Sequence, residues 1–307
     1  MKSLKIKSYC KINLALLIKN KRKDNYHEIN SIMQTISLFD TIKLKKSNKL
    51  SCRTNIKDIP TDEQNLAIKA ANVFFSNVKT SKKVKIKIKK RIPTKAGLGG
   101  GSSNAAFVLL GLNKLFKTNL EKKTLLKLAE KIGADVPFFI YGGTAVVEGL
   151  GEIVKKIKPI KNFYIVLVKP NFGVDTKKAY EKYDELKIKE KKSIEKIILS
   201  ISKGEKIKKI TKNLFNDFEK VIENKIIFEI KNKMKNYGAL SCNLTGSGSC
   251  VFAIFEDKTK AKKAKKLFKK EKFKTFLCKP IDKIFWFWIF FLILTHSFYA
   301  TFLDGRK

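Results

Sequence analysis

The stretch of sequence best suited to chemistry is the glycine-rich run PTKAGLGGGSSNAA at residues 93–106. Its four glycines allow backbone conformations with positive φ and a close approach to a ligand. Ser102 and Ser103 follow and are favoured N-caps for a helix predicted over residues 104–116. Because successive backbone N–H groups ahead of a helix form an anion site, we predict a phosphate-binding loop here.

Two common phosphate-binding motifs are excluded for this loop. No Gly-Lys-Ser/Thr ends it, so it is not a P-loop, and the dinucleotide-binding pattern G-x-G-x-x-G fails at its last position, Ser102. A glycine-rich hairpin of purely structural use is the alternative. Three consecutive glycines, two serines and a predicted helix argue against that alternative.

Two charged residues stand in surroundings that suggest chemistry. Asp135 follows a Gly-Ala pair and precedes an apolar segment, residues 136–141, that we predict as a β-strand. Its carboxylate would either enter a partly dry cleft or cap the turn after a helix. Lys11 immediately precedes an apolar strand predicted over residues 12–18 and does not lie in a cluster of lysines. Taken alone, each residue leaves a structural and a catalytic role open.

Composition bounds the class of protein. The chain has 307 residues, 44% of them hydrophobic, which excludes a disordered or collagen-like protein and suggests two domains. Its 67 basic and 27 acidic residues give a net charge of +40, which raises nucleic acid or an anionic membrane as a partner. The lysines are spread along the whole chain, however. We therefore expect no specific nucleic-acid partner, only polyanion binding that salt removes.

The cysteines and the two termini bear on the compartment. The five cysteines show no C-x-x-C spacing and the chain has only two histidines, so we expect buried thiols in a reducing compartment and no zinc site. The N-terminus lacks a signal-peptide cleavage site. Residues 284–303 form an uncharged, largely apolar run of twenty residues, long enough to span a bilayer. A membrane anchor, a segment packed on a partner and an extension past the natural end all stay open, and we otherwise expect a cytoplasmic protein.

Strand-like and helix-like segments alternate along both halves, which predicts an α+β fold. Residues 82–90 show the clearest strand pattern, with Val84, Ile86 and Ile88 separated by lysines, so one face should be buried. Further strands are predicted at 29–44, 144–148, 163–168, 250–255 and 274–279, helices at 65–78, 124–132 and 259–270, and a linker at 155–161.

With these residues in view, the glycine loop resembles the nucleotide loop of the GHMP kinases (galacto-, homoserine, mevalonate and phosphomevalonate kinases). Five more motifs follow in the family's order: SYCKINL at 8–14, DNYHEI at 24–29, GADVPF at 133–138, NDFE at 216–219 and TGSGSCVF at 245–252. The first two are similar to the branch whose acceptor is a cytidylyl ester of methylerythritol. Asn25 replaces the usual Gly of that branch, and Asn tolerates the same positive φ.

The resemblance covers residues 5–279 and implies a two-domain, GHMP kinase-like α+β fold. Residues 1–158 would form a ribosomal-S5-domain-2-like domain that binds ATP, and residues 159–283 a ferredoxin-like domain, with the active site in the cleft between them. Residues 284–307 fall outside the match. The implied activity is ATP- and Mg²⁺-dependent phosphorylation of the 2-hydroxyl of the cytidylyl substrate, in the non-mevalonate isoprenoid pathway. A homoserine or mevalonate type of kinase is the alternative, and monomer and homodimer both stay open.

The resemblance also assigns roles to residues of this sequence. Asp135 would be the general base, and Lys11 would orient it and stabilise the transferring phosphoryl group. Either Ser102 or Ser103 would contact Mg²⁺. The implied ATP-binding residues are Asn65, Leu66, Pro93, Thr94, Lys95, Ala96, Gly97, Leu98, Gly99, Gly100, Gly101, Ser102 and Ser103.

The remaining roles concern the acceptor. Tyr26 and His27 would stack on the cytidine and hydrogen-bond its base edge, with Phe172 as the opposite stacking face. Asn13 and Thr176 would also contact the substrate. A second glycine turn, residues 245–249, would face the same cleft from the C-terminal domain.

Overall fold

The computed structural model describes residues 3–186 and 192–282, which form two β-sheets covered by helices. The seven-stranded first sheet contains β1 (Ser3–Lys21), β2 (His27–Ser47), β3 (Ser51–Thr54), β4 (Lys83–Lys89), β5 (Thr144–Gly149), β6 (Ile153–Lys156) and β8 (Phe215–Asn216). The four-stranded second sheet contains β7 (Tyr164–Lys169), β9 (Ser241–Leu244), β10 (Val251–Phe255) and β11 (Lys274–Cys278). Two sheets with packed helices confirm the predicted α+β fold.

The long antiparallel pair of β1 and β2 is the centre of the first sheet. β4 buries Val84, Ile86 and Ile88 and exposes the lysines between them, which confirms the predicted half-buried strand. β8 belongs to the second half of the sequence but pairs in parallel with β1. The two halves of the chain therefore share one sheet at this position.

Within the described part of the chain, four helices pack with the first sheet: α1 (Leu66–Phe75), α2 (Gly100–Phe116), α3 (Lys122–Glu130) and α4 (Val136–Tyr141). α2 is buried along most of its length because it packs against β1, β2 and the three other helices. Its position brings the glycine loop, which leads into it, against the middle of β1.

The prediction of a strand at 136–141 was wrong, because these residues form α4. A short apolar run does not distinguish a buried strand from a buried helix. Pro137 favours the first turn of a helix, and Gly142, with φ of 60°, ends it. The predicted linker at 155–161 also overlaps β6, which forms a hairpin with β5.

Among the residues that the structure describes, five helices accompany the second sheet: α5 (Thr176–Glu185), α6 (Glu195–Ser202), α7 (Ile207–Ile210), α8 (Lys225–Asn236) and α9 (Lys258–Lys270). One face of this sheet, including Leu167 and Phe252, shares a hydrophobic core with Ile12 of β1. The other face packs on α8 and α9 through Ile230 and Phe268. This shared core joins the two sheets.

The segment after β11 crosses to the first sheet. Ser37 N donates to Lys279 O at 2.9 Å, and Ile281 N donates to Thr35 O at 2.8 Å. Gln34 Nε2 also donates to Ile281 O at 3.1 Å. Residues 279–281 therefore attach the end of the second sheet to β2.

The five cysteines are free and buried, as the sequence predicted. In the part of the chain that the structure describes, no helix is long and apolar enough to cross a bilayer. The apolar run at 284–303 lies outside the described residues.

Candidate active site

The glycine loop enters α2 through a left-handed residue. Gly99 has φ of 64° and is the N-cap, and the first helical hydrogen bond runs from Ser103 N to Gly99 O at 2.8 Å. The helix thus begins four residues before the predicted start, and Ser102 and Ser103 are not its caps. Glycine supplies the positive φ that a serine would adopt only with strain.

This earlier start places the phosphate-binding features in the first helical turn. The N–H groups of Gly100, Gly101 and Ser102 precede the first turn's hydrogen bond and have no helical acceptor. Together with the positive end of the helix dipole, these groups form an anion site. The open N–H groups that the prediction requires are present, although they belong to the helix itself and not to serine caps. Phosphate binding by them stays a prediction.

Lys11 and Asp135 meet beside this helix terminus. Lys11 Nζ lies 3.7 Å from Asp135 Oδ2, and the lysine is 4% exposed. Asp135 stands at the N-cap of α4 but makes no side-chain cap hydrogen bond, and its side chain is 31% exposed. Its carboxylate is therefore not used as a helix cap. A buried ammonium group beside a partly open carboxylate is an arrangement suited to proton transfer and to stabilising anionic charge.

Gly99 makes room for this lysine. A Cβ at position 99 would lie 3.3 Å from Lys11 Cε and 2.8 Å from the ring of Phe139. The backbone also connects the two segments, because Lys11 N donates to Leu98 O at 3.2 Å. The pairing of the loop with β1 therefore places the buried Lys11 ammonium group next to the glycine loop.

Asn13 is completely buried, and both polar atoms of its amide make hydrogen bonds. Asn13 Oδ1 accepts from Lys11 Nζ at 2.6 Å and from Gly246 N at 2.9 Å. Asn13 Nδ2 donates to Ser31 Oγ at 2.8 Å. In this arrangement Asn13 orients Lys11 and connects β1 to the second glycine turn. A substrate contact from Asn13 stays a prediction.

The second glycine turn contacts the first one. Thr245 Oγ1 donates to Gly97 O at 3.0 Å. Asn216 Nδ2 donates to both Leu244 O and Gly246 O, each at 2.8 Å, which fixes the backbone of the turn. The resemblance implied that this turn faces the cleft, which stays a prediction, and the structure shows that Asn216 of the NDFE motif supports its backbone.

His27 lies in a small polar and aromatic cluster at the start of β2. Its ring stacks on Tyr180 with centroids 4.7 Å apart and planes 8° apart. His27 Nε2 lies 2.5 Å from Asp184 Oδ1, and Lys21 Nζ donates to Asp184 Oδ2 at 2.8 Å. Burial and the charge of Asp135 raise the pKa of Tyr180 to about 12, so this tyrosine is neutral.

Tyr26 and Phe172 are placed differently from His27. Tyr26 is 65% exposed. Asn25 before it has φ of 64°, the positive φ expected where this residue replaces the usual Gly. Phe172 packs toward the core of the second sheet. Within the described ranges, the ring stacked on His27 is that of Tyr180. The stacking of Phe172 on the cytidine stays a prediction. Thr176 Oγ1 lies 2.7 Å from Ser247 Oγ, which joins α5 to the second glycine turn.

The predicted border of the nucleotide site lies at the start of α1. Asn65 is the N-cap of this helix and accepts from Ala67 N at 2.9 Å. A Cβ at Gly101 would lie 3.6 Å from Leu66 Cδ1, so Leu66 adjoins the first turn of α2. Residues that are far apart in sequence therefore line one side of the glycine loop.

The two serines differ in their availability to a metal ion. Ser103 Oγ is buried and donates to Tyr9 O at 2.5 Å. Ser102 is half-buried, and its hydroxyl makes no hydrogen bond to any residue the structure describes. The oxygens of Ser102 and Asp135 are hard ligands of the type that Mg²⁺ accepts. Within residues 3–186 and 192–282, which the structure describes, there is no cluster of three or more metal-ligating His, Cys, Asp or Glu side chains.

Sequence reasoning missed Tyr180 and Asp184, which complete the cluster around His27. Both lie on α5, whose sequence TKKAYEKYDE is otherwise dominated by charged residues. Two tyrosines and an aspartate on one side of a lysine-rich helix were the available signal. Their partner, however, is more than 150 residues away, as the contact from His27 to Asp184 shows.

Comparison with known proteins defines the class. The family of GHMP kinases N terminal domains matches residues 65–143, and that of GHMP kinases C terminal domains matches residues 202–274. A mevalonate kinase from Methanococcus jannaschii shares the fold, with a TM-score of 0.70 at 18% identity over 91% of this chain and 98% of its own. With the relatives described next, these matches show that the chain belongs to the GHMP kinase family.

Closer relatives carry one particular name, 4-diphosphocytidyl-2-C-methyl-D-erythritol kinase. The protein of that name from Clostridium perfringens is 45% identical over 265 residues, which cover 85% of this chain and 92% of the relative. The one from Caldicellulosiruptor bescii is 44% identical over 282 residues, covering 90% and 98%. A crystal structure of 4-(cytidine 5'-diphospho)-2C-methyl-D-erythritol kinase matches with a TM-score of 0.77 at 27% identity, covering 91% of this chain and 100% of that one.

Proposed function

We propose that this protein transfers the γ-phosphoryl group of ATP to the 2-hydroxyl of 4-diphosphocytidyl-2-C-methyl-D-erythritol, a step of the non-mevalonate route to isoprenoid precursors. The observation that carries the proposal is the buried Lys11 ammonium, 3.7 Å from the Asp135 carboxylate and beside the open N-terminus of α2. The names of the relatives supply the acceptor.

In the proposed mechanism, Asp135 accepts the proton of the acceptor hydroxyl while the hydroxyl oxygen attacks the γ-phosphorus. The bond from that phosphorus to the β–γ bridging oxygen breaks, and ADP is the leaving group. Lys11, held by Asn13, offsets the negative charge that develops on the phosphoryl oxygens. Since Asp135 makes no cap hydrogen bond, its carboxylate is available to the hydroxyl. Both groups act at one point, between the acceptor and the nucleotide.

The nucleotide end of the proposed site is the glycine loop. The N–H groups of Gly100, Gly101 and Ser102 would bind phosphate oxygens, and the rest of the loop from Pro93 to Ser103 would shape the pocket. Asn65 and Leu66 would border the base. Mg²⁺ would be held by the phosphates and the Ser102 hydroxyl, and when bound it would neutralise charge on the β- and γ-phosphates.

The acceptor end of the proposed site is the cluster around His27. Tyr26 offers an exposed ring for the cytosine, His27 a ring nitrogen, and Tyr180 a second aromatic face. Thr176 lies on the cleft side of α5, next to the second glycine turn. Phe172 is kept as a more remote candidate, because its ring packs toward the second sheet.

The division into domains 1–158 and 159–283 stays part of the proposal. It is supported by the second sheet, whose strands all lie after residue 159, although β8 of the first sheet also lies there. Free buried thiols support a reducing compartment such as the cytoplasm for this enzyme. Homoserine and mevalonate, the alternative acceptors, contain no nucleobase that could stack on an aromatic side chain. The aromatic cluster at His27 therefore favours the cytidylyl acceptor.

A coupled assay of ADP release tests the proposal. Purified protein is given ATP, Mg²⁺ and 4-diphosphocytidyl-2-C-methyl-D-erythritol, with homoserine and mevalonate as separate acceptors. We expect ADP release with the cytidylyl acceptor and none with homoserine or mevalonate. Equal or faster turnover of homoserine or mevalonate would overturn the assignment of the acceptor while leaving the kinase class intact.

A further inference from the structure

The carboxylate of Asp40 contacts the chain on both sides of the glycine loop. Asp40 lies on β2 and is completely buried. Its Oδ1 accepts from Arg91 N at 2.7 Å and from Ile92 N at 2.9 Å. These two residues immediately precede Pro93, the first residue of the loop. One oxygen of Asp40 therefore fixes the position at which the loop begins.

The other oxygen of Asp40 contacts the helix that follows the loop. Asn104 Nδ2 donates to Asp40 Oδ2 at 3.0 Å, and the buried Lys90 ammonium pairs with the same oxygen. Lys90 Nζ also donates to Asn104 Oδ1 at 2.9 Å. Since Asn104 belongs to α2, one carboxylate connects the start of the loop to the helix at its end.

This network continues to β1 and passes close beneath the loop. Asn104 Nδ2 also donates to Ser8 Oγ at 3.0 Å, and Ser8 Oγ lies 2.6 Å from Ser103 Oγ. A Cβ at Gly100 would lie 3.4 Å from Lys90 Nζ, so the ammonium group directly adjoins the first turn of α2. The five side chains of the network are all buried: Ser8, Asp40, Lys90, Ser103 and Asn104.

Stability alone is a weak reason for this ion pair. A buried salt bridge gains little over an apolar pair of similar volume, because removing both charges from water costs about as much as their attraction returns. Its hydrogen bonds, however, are directional. They reach the backbone at 91 and 92 on one side and the side chain of Asn104 on the other, and so they set the distance between the two ends of the loop.

We propose that Asp40 and its partner Lys90 are positioning residues for the phosphate-binding loop. By holding both ends of a glycine-rich segment, they fix the N–H groups of Gly100, Gly101 and Ser102 in the geometry that binds phosphate before the nucleotide arrives. A loop with several glycines would otherwise lose conformational entropy on binding. The proposal rests on the proposed function only in taking ADP or ATP as the source of the phosphate.

The test measures ADP affinity, which does not depend on the acceptor. The double variant Asp40→Asn with Lys90→Met removes both charges together and so leaves no unpaired buried ion. Asn104→Ala keeps the ion pair and cuts its connection to α2. We expect each variant to bind ADP with Mg²⁺ about tenfold more weakly by isothermal titration, the loss typical of a charged hydrogen bond. The KM for the acceptor should be unchanged.

A matched control is Asp217→Asn. Asp217 is also buried, accepts from Ile18 N at 3.0 Å and pairs with Lys220, but it contacts no part of the glycine loop. This variant should melt at a lower temperature and bind ADP as the parent does. If the loop variants also melt lower while their ADP affinity equals the parent's, Asp40 supports the fold alone and the proposal is overturned. Should the double variant fail to fold, Asn104→Ala decides.

The outcome is separable from the proposed function. If the parent binds ADP but does not phosphorylate the cytidylyl acceptor, the acceptor is wrong and the role of Asp40 is still tested by the ADP titration. If the parent does not bind ADP, the glycine loop is not a nucleotide site and both proposals fail.

Discussion

Gly97 packs directly against Thr245: a Cβ built at position 97 would lie 1.8 Å from the carbonyl oxygen of Thr245. Gly97 also has φ of 69°, a conformation that side-chain-bearing residues adopt with strain. This contact joins the glycine loop of the first half of the chain to the second glycine turn of the other half. The two turns therefore pack tightly against each other, and a side chain added at Gly97 would displace the backbone at Thr245.

Substitution of this glycine should damage both stability and nucleotide binding. For Gly97→Ala we expect the free energy of unfolding to fall by about 1–3 kcal/mol, the cost of overpacking, with ADP affinity reduced. Urea unfolding and ADP titration measure the two effects. Gly101→Ala is the matched control, since its Cβ would meet only Leu66 Cδ1 at 3.6 Å. Its unfolding free energy should stay within about 0.5 kcal/mol of the parent.

Removal of the proposed base should affect turnover and little else. Asp135→Asn retains the size of the side chain but cannot accept the proton, so we expect kcat to fall by roughly 10²–10⁴-fold with ADP affinity unchanged. Steady-state kinetics and titration measure these. Glu148→Gln, at an exposed pair with Lys155, is the control and should retain full turnover. Near-parental turnover of Asp135→Asn would remove this residue from the mechanism.

The two ends of the cleft should be separable by mutation at His27. His27→Ala removes the ring that stacks on Tyr180 and bonds Asp184, so binding of the cytidylyl acceptor should weaken. ADP affinity should stay near that of the parent, because the glycine loop is untouched. Isothermal titration with each ligand checks this. Loss of ADP binding with acceptor binding retained would reverse the assignment of the two ends.

Asp184 predicts a pH dependence of stability. Burial raises the pKa of this carboxyl, but the hydrogen bonds from Lys21 and His27 together lower it by more than burial raises it. The net pKa is therefore below its ordinary value. Stability from such a group is present above the unfolded-state pKa of about 4 and is lost as the pH falls through the folded-state pKa. Because the carboxylate is partly exposed and screened, its contribution at pH 7 should be no more than about 1 kcal/mol.

The variant that tests this dependence is Asp184→Asn. Urea unfolding of parent and variant at about pH 7 and about pH 3 gives the difference in free energy at each pH. The variant should be less stable at the higher pH, and the difference should shrink at the lower one. A difference that grows on acidification would contradict the assigned direction of the pKa.

Truncation tests where the folded part of the chain ends. A chain ending at Asp282 keeps the hydrogen bonds of residues 279–281 to β2 and should be folded and fully active. A chain ending at Cys278 loses these bonds and should be less stable by about 2–4 kcal/mol, at roughly 1 kcal/mol per hydrogen bond. Thermal unfolding and the kinase assay compare the two. If the chain ending at Asp282 does not fold, residues after 282 belong to the core.

Much of the fold followed from patterns within short windows. The alternation of Val84, Ile86 and Ile88 with lysines specifies a strand with one buried face, and the structure has it as β4. The segment 136–141 shows the limit of this reasoning. Six apolar residues fit a buried strand or a buried helix equally well, and packing against α2 and α3 decided for the helix.

The sequence by itself predicted the glycine loop and carried the family resemblance, because both depend on residue types within short motifs. The pairing of Lys11 with Asp135 was implied by that resemblance, and the structure brings the two side chains to within 3.7 Å. Only the tertiary structure placed Tyr180 and Asp184 against His27, and Asp40 at both ends of the glycine loop. These contacts join segments from 50 to more than 150 residues apart. Periodicity and propensity act locally, whereas a distant partner is chosen by the way in which strands and helices pack together.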